Sequence, residues 1–173
     1  MSVNLILPLK KHQKEVQVFL KACLAAATDM AGTAKVEALP YDRWLQRMYN
    51  TMYNRHLDEG FVDATTFLIY AHDTLVGFID VRHRLNAFLA QAGGHVGYMI
   101  HPDYRRKGYA KAALSDALSY LKEAHHVQKA LITCSPDNEA SRKTILALGG
   151  EYENTVKDER LGTIERYWIT LGK

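Results

Sequence analysis

The stretch His101–Lys111 reads HPDYRRKGYAK and holds three consecutive cations, Arg105, Arg106 and Lys107, followed by Gly108 and Ala110. An apolar strand-like run, VGYMI, precedes it and a helix-periodic run, AALSDALSYL, follows. The first turn of a helix exposes unpartnered N–H groups and carries partial positive charge, so three cations there repel it unless an anion sits between them. Gly108 and Ala110 offer little bulk, and an anion can reach the backbone. The chemistry implied is capture of a polyphosphate by main-chain amides, with Arg and Lys on the rim. There is no G-x-x-x-x-G-K-[ST] and no strand followed by G-x-G-x-x-G, which excludes a P-loop and a Rossmann dinucleotide site.

The elements that must position this turn are legible as hydrophobic periodicity. Val3–Leu9 reads as a first strand, Lys11–Ala27 and Asp42–Tyr53 as two helices, Ala64–Ala71 and Leu75–His83 as a hairpin turning at His72-Asp73-Thr74, and His95–Ile100 as the strand before the turn. A helix over Tyr109–Ala124 presents Ala110, Ala113, Leu114, Ala117, Leu118 and Leu121 inward. Lys129–Cys134 reads as a buried strand. A helix then runs from Asn138 to Leu148, stopped by Gly149-Gly150, and strands near Glu151–Lys157 and Ile164–Leu171 close the chain. The order β-α-α-β-β-β-α-β-α-β-β argues one mixed α/β domain over residues 1–173.

Composition agrees with a globular protein of 173 residues, 47% hydrophobic and 24% charged, with net charge +3. That charge suits an anionic small ligand and not a nucleic-acid partner, since the cations cluster in one turn with no basic stripe. Cys23 and Cys134 read as buried free thiols in a reducing compartment, and no His, Cys and Asp spacing suggests a metal. No apolar run spans a bilayer and no cationic leader precedes the N-terminal apolar residues, so a cytoplasmic protein without membrane contact is expected.

Arg105-Arg106-Lys107-Gly108-Tyr109-Ala110, directly after a strand, matches [QR]-x-x-G-x-[GA], and Asn138 stands at the start of a helix ending in Leu148-Gly149. On these motifs and the element order across nearly the whole chain, the sequence resembles the GNAT superfamily of N-acetyltransferases, in a bacterial branch of predicted acetyltransferases that ends in a segment like ERYWITL (Glu165–Leu171). The resemblance implies a mixed, mostly antiparallel central sheet flanked by helices, and acetyl-CoA as co-substrate. The diphosphate would rest on the amides of Arg106–Ala110, Lys107 and Tyr109 among them, with Arg105 also at the rim. The pantetheine would run along Met99, Ile100 and His101, with Asn138, Ser141 and Arg142 as further contacts. Many members carry a Tyr seven residues after the Asn to protonate the leaving thiolate; here that position is Ile145. Cys134, Ser135, Tyr98 or water are the substitutes open to the chain.

Acetyl transfer to an amine also needs a base and an oxyanion donor, the latter a backbone N–H near Met99 or Ile100. Asp80, within the apolar run FIDV, and His95, at a strand start, are the candidate bases, with an ion pair to Arg82 or Arg84 the alternative role for Asp80. Tyr41, Trp44, Tyr49 and Tyr53 could line an acceptor pocket or fill core. Trp168 or Tyr167 could face a homodimer partner. The expected function is acetyl transfer from acetyl-CoA to a primary amine of a small molecule or peptide by direct attack, without a covalent enzyme intermediate. A non-catalytic acyl-CoA-binding module is the alternative.

Overall fold

A computed structural model describes residues 2–172. Its strands are β1 (Asn4–Ile6), β2 (Ala64–Ala71), β3 (Thr74–Arg82), β4 (Val96–Ile100), β5 (Lys129–Cys134), β6 (Glu151–Asp158) and β7 (Gly162–Thr170). Its longer helices are α1 (Gln13–Ala25), α2 (Tyr41–Met52), α3 (Tyr109–His125) and α4 (Glu139–Ala147). The element order is the one read from periodicity. The strands form two antiparallel sheets, β1-β2-β3-β4 and β5-β7-β6.

Strand parity decides which side chains face which helices. Leu68, Tyr70 and Phe78 pack on α1 and α2 through Val16, Phe19, Trp44 and Met48. Ile69, Ala71, Ile79 and Val81 turn to the other face, against Ala113, Leu114, Ala117 and Leu121 of α3. Thr66 pairs with Asp80, and Phe78 with Met99. Asp80 and Gly97 therefore share the α1/α2 face, whereas Tyr98 falls on the α3 face.

The sheets meet at one point. The His95 N–H donates to the Leu131 carbonyl at 2.7 Å, and the Leu131 N–H donates to Nδ1 of the His95 ring at 2.9 Å. No further backbone hydrogen bond joins β4 to β5 among the described residues, so the two strands part beyond His95. The His101 N–H donates to the Val76 carbonyl and the Arg82 N–H to His95. Antiparallel alternation then points the backbone groups of Gly97 and Met99 at β3, and those of Tyr98 and Ile100 into the gap.

Because the His95 ring replaces a ladder partner, its state governs stability. Burial, with Arg82 adding repulsion, lowers its pKa from 6.5 to about 4. The folded protein thus holds His95 neutral while the unfolded chain protonates near its ordinary value. The stability this contributes is complete above pH 6.5 and is lost as pH falls toward 4. A fall of about 3 kcal/mol over that window is expected from this group, read by urea unfolding at successive pH values. In His95→Asn, whose side-chain oxygen can still accept from Leu131, the slope should flatten.

Candidate active site

The turn foreseen as an anion cradle opens onto a cleft of about 740 Å³ between the ends of β4 and α4. Arg106 and Gly108 both lie in the left-handed region, φ +61° and +82°. That conformation belongs to Gly108 naturally and is strained for Arg106. From Arg106 to Lys111 six consecutive N–H groups donate to no described residue; the α3 ladder begins with Ala112 donating to the Gly108 carbonyl. Their residues line the cleft together with Tyr98, Ile100, Asn138 and Ser141, except Lys107. The cradle is thus unfilled by the protein's own acceptors.

Side chains around the turn divide by role. Arg105 Nε donates to the Ile100 carbonyl at 3.1 Å, which ties the turn to the end of β4. Arg106 and Lys111 are exposed at the rim, and Lys107 lies 5.5 Å over the Tyr104 ring. Asn138 Oδ1 accepts from the Ser141 N–H at 3.1 Å and so caps α4, leaving its Nδ2 without a bond among the described residues. Tyr98 reaches across the gap to place its phenol 2.8 Å from the Ser141 hydroxyl. Burial raises its pKa, so the phenol keeps its proton.

A second cavity, of about 650 Å³, lies on the α1/α2 face. Thr66, Asp80, Trp44, Met48 and Arg47 line it from the sheet and α2, with Phe88 and Arg160 from the connecting loops. Asp80 is nearly buried at 8% exposure; it accepts from the Thr66 hydroxyl at 2.9 Å and pairs with Arg82 Nε at 3.0 Å. Between the two cavities the α1–α2 loop crosses β4. A Cβ on Gly32 would stand 2.5 Å from the Gly97 carbonyl, so the crossing requires glycine. Loop residues 26–29 and Ala31 line the first cavity, and Met30, Gly32 and Ala34 the second. The two cavities therefore approach each other around Gly97 and Tyr98.

Against the readings from sequence, the cleft brings together Met99, Ile100, Arg105, Arg106, Gly108, Tyr109, Ala110, Asn138 and Ser141. Five other residues are placed differently, the first being Lys107, which lies over Tyr104 and does not line the cleft. His101 is buried beside Phe19 and its Nδ1 accepts from the Asp103 N–H. Arg142 turns away to Glu165, at 3.0 and 3.1 Å, and to the Pro136 carbonyl. His95 lines neither cavity, and the lone pair a base would use is taken by Leu131. Ser135 is exposed in the turn before α4 and lines neither cavity. Of the expected oxyanion donors, Met99 has its N–H in the β3 ladder, which leaves Ile100. Ile145 is fully buried in the core and Cys134 is buried with its thiol pushed up to about 11, by burial and Glu165.

Tyr41 and Tyr49 act as ties, donating to the carbonyls of Leu9 and Pro8, and of Tyr41, Trp44, Tyr49 and Tyr53 only Trp44 lines the second cavity. Sequence reasoning passed over Lys111, Lys143 and Thr144 in the cleft, and Arg47, Phe88 and Arg160 in the second cavity. Lys143, next to Arg142 in the middle of α4, is the one that helix periodicity could have offered. No helix is long and apolar enough to cross a membrane, and no group of three or more His, Cys, Asp or Glu could hold a metal, among the described residues.

An uncharacterized N-acetyltransferase, YnaD of Bacillus subtilis, is 28% identical over 88 residues. That match spans 49% of this chain and 48% of YnaD, about half the length of each. Among solved structures, the ribosomal L7/L12 α-N-protein acetyltransferase RimL in complex with coenzyme A superposes with a TM-score of 0.72 at 12% identity, covering 98% of this chain and 94% of that one. The microcin C7 self-immunity acetyltransferase MccE in complex with acetyl-CoA and AMP gives 0.72 at 17% identity, over 98% and 92%. These two share the fold. The model of the acetyltransferase (GNAT) domain matches residues 16–151, from α1 to the start of β6, a span that holds the cradle, the gap and Asp80. The chain belongs to the GNAT acetyltransferase family.

Proposed function

We propose that this chain is an acetyl-CoA-dependent N-acetyltransferase with its donor in the β4–β5 cleft and its acceptor amine in the Asp80 cavity. The observation that carries the reading is the row of six unpartnered N–H groups, Arg106–Lys111, at the mouth of a cleft that continues to Tyr98. The residues present fit coenzyme A: amides and cations for the diphosphate, and the strand-edge groups of Tyr98 for the pantetheine amides. Bound acetyl-CoA supplies the activated acetyl group.

The chain's own residues do the rest. Asp80 receives the ammonium and takes its proton, which frees the lone pair for attack. The Ile100 N–H, turned into the gap, is the donor available to the carbonyl oxygen as it gains charge. The Tyr98 phenol gives its proton to the departing thiolate, in place of the family tyrosine whose position is filled by Ile145, and regains one from solvent, while the second proton of the attacking nitrogen leaves to solvent as the amide forms. A thiol already has a pKa near 8.5, so this proton is worth less than in amide or ester cleavage. Tyr98→Phe is expected to lower kcat about 10-fold with little change in KM for acetyl-CoA. Unchanged kcat would remove Tyr98 from the reaction.

The test of the reading is thiol release from acetyl-CoA across a panel of primary amines, beside calorimetric titration with coenzyme A. Amine-dependent release supports it. Tight binding of coenzyme A with no release for any amine favours the non-catalytic module.

A further inference from the structure

The charge of the acceptor cavity points to the class of amine it takes. Four cations line it, Lys35, Arg47, Arg82 and Arg160, against two carboxylates, Glu59 and Asp80. The Arg82–Asp80 pair is internal and cancels. Of the remaining cations, Arg47 meets only the exposed Asp58, at 3.8 Å, and Lys35 and Arg160 pair with no described carboxylate.

The two outer arginines are instead held by rings. The Arg47 guanidinium lies 5.4 Å from the centre of Phe61 and that of Arg160 4.6 Å from the centre of Phe88. A guanidinium stacked on a ring loses conformational freedom, yet its N–H donors stay free at the edge. That arrangement suits a planar carboxylate or a phosphate, which accepts two such bonds at once. A polycation would meet the opposite: four cations at the walls against only two carboxylates, Glu59 and Asp80.

Resting on the acetyl-transfer reading, we propose that the acceptor carries its own anionic group, a carboxylate or a phosphate, held by Arg160 and Arg47 while its amine is held at Asp80. Phe61, Phe88 and Met48 give the cavity apolar lining for the body of the molecule.

Matched amines that differ only in the anion test this: O-phosphoethanolamine against ethanolamine, phenylalanine against phenylalaninamide, with spermidine as the polycation. Thiol release gives kcat/KM for each. The anionic member of a pair is expected to exceed its neutral twin at least about 10-fold, from one charge-assisted bidentate contact. Arg160→Gln should erase most of that ratio while leaving coenzyme A affinity and the melting temperature unchanged, and Arg160→Lys should restore part of it. Preference for spermidine or for the neutral twins would overturn the anionic acceptor and leave acetyl transfer standing. Failure to bind coenzyme A would instead remove the acetyl-transfer reading itself.

Discussion

Gly108→Glu is expected to weaken coenzyme A binding at least about 100-fold while the protein still folds. Two effects add. Gly108 has φ +82°, where any side chain costs about 1 kcal/mol, and this lowers stability modestly. The larger effect is on the ligand. A carboxylate at the N-cap would stand beside the amides meant for the diphosphate and oppose it charge for charge, and it could bond those amides itself. Gly108→Ala separates the two, because it carries the backbone strain and no charge. It should lose the same stability and far less affinity. Calorimetry with coenzyme A and thermal melts of both variants give the comparison. If the glutamate variant binds as tightly as the wild type, the diphosphate does not sit there.

Asp80→Asn is expected to lower kcat/KM for the amine about 100-fold, with coenzyme A binding unchanged. The asparagine keeps an oxygen for the Thr66 hydroxyl but can neither draw an ammonium nor take its proton. Arg82 loses its counter-charge at 3.0 Å, so a melt must accompany the kinetics. The pH dependence separates catalysis from architecture. As pH rises through the acceptor's own pKa the amine arrives already deprotonated, and the deficit of the variant should shrink. A deficit constant across that range would mean that Asp80 serves the cavity only as the partner of Arg82.

How far the sequence reached follows from the range of the interactions concerned. Periods of 2 and 3.6 depend on neighbours in the chain, so the element order and the inward face of α3 could be read directly. The cradle was legible too, since strand, cations, glycine and helix are contiguous. Asp80 lines the second cavity because its parity with Phe78 turns it toward α2. Residues engaged by distant partners misled. His95 has a side chain suited to a base, but its lone pair is held by Leu131, 36 residues on. Arg142 sits one position from a cleft residue, yet Glu165 on β7 draws it outward. The second cavity is assembled from segments between Met30 and Arg160 that have no common local signature. Tyr98 was one of several substitutes for the missing acid in the sequence, and only the parting of β4 and β5 shows its phenol beside Ser141.

The most direct measurement is a two-dimensional amide correlation spectrum of the labelled protein, recorded on adding coenzyme A and, separately, pantetheine, which lacks the diphosphate. The resonances of Arg106 through Lys111 should move strongly downfield with coenzyme A and stay in place with pantetheine, while Ile100 responds to both. Saturable binding of coenzyme A that leaves those six amides unmoved would contradict the account.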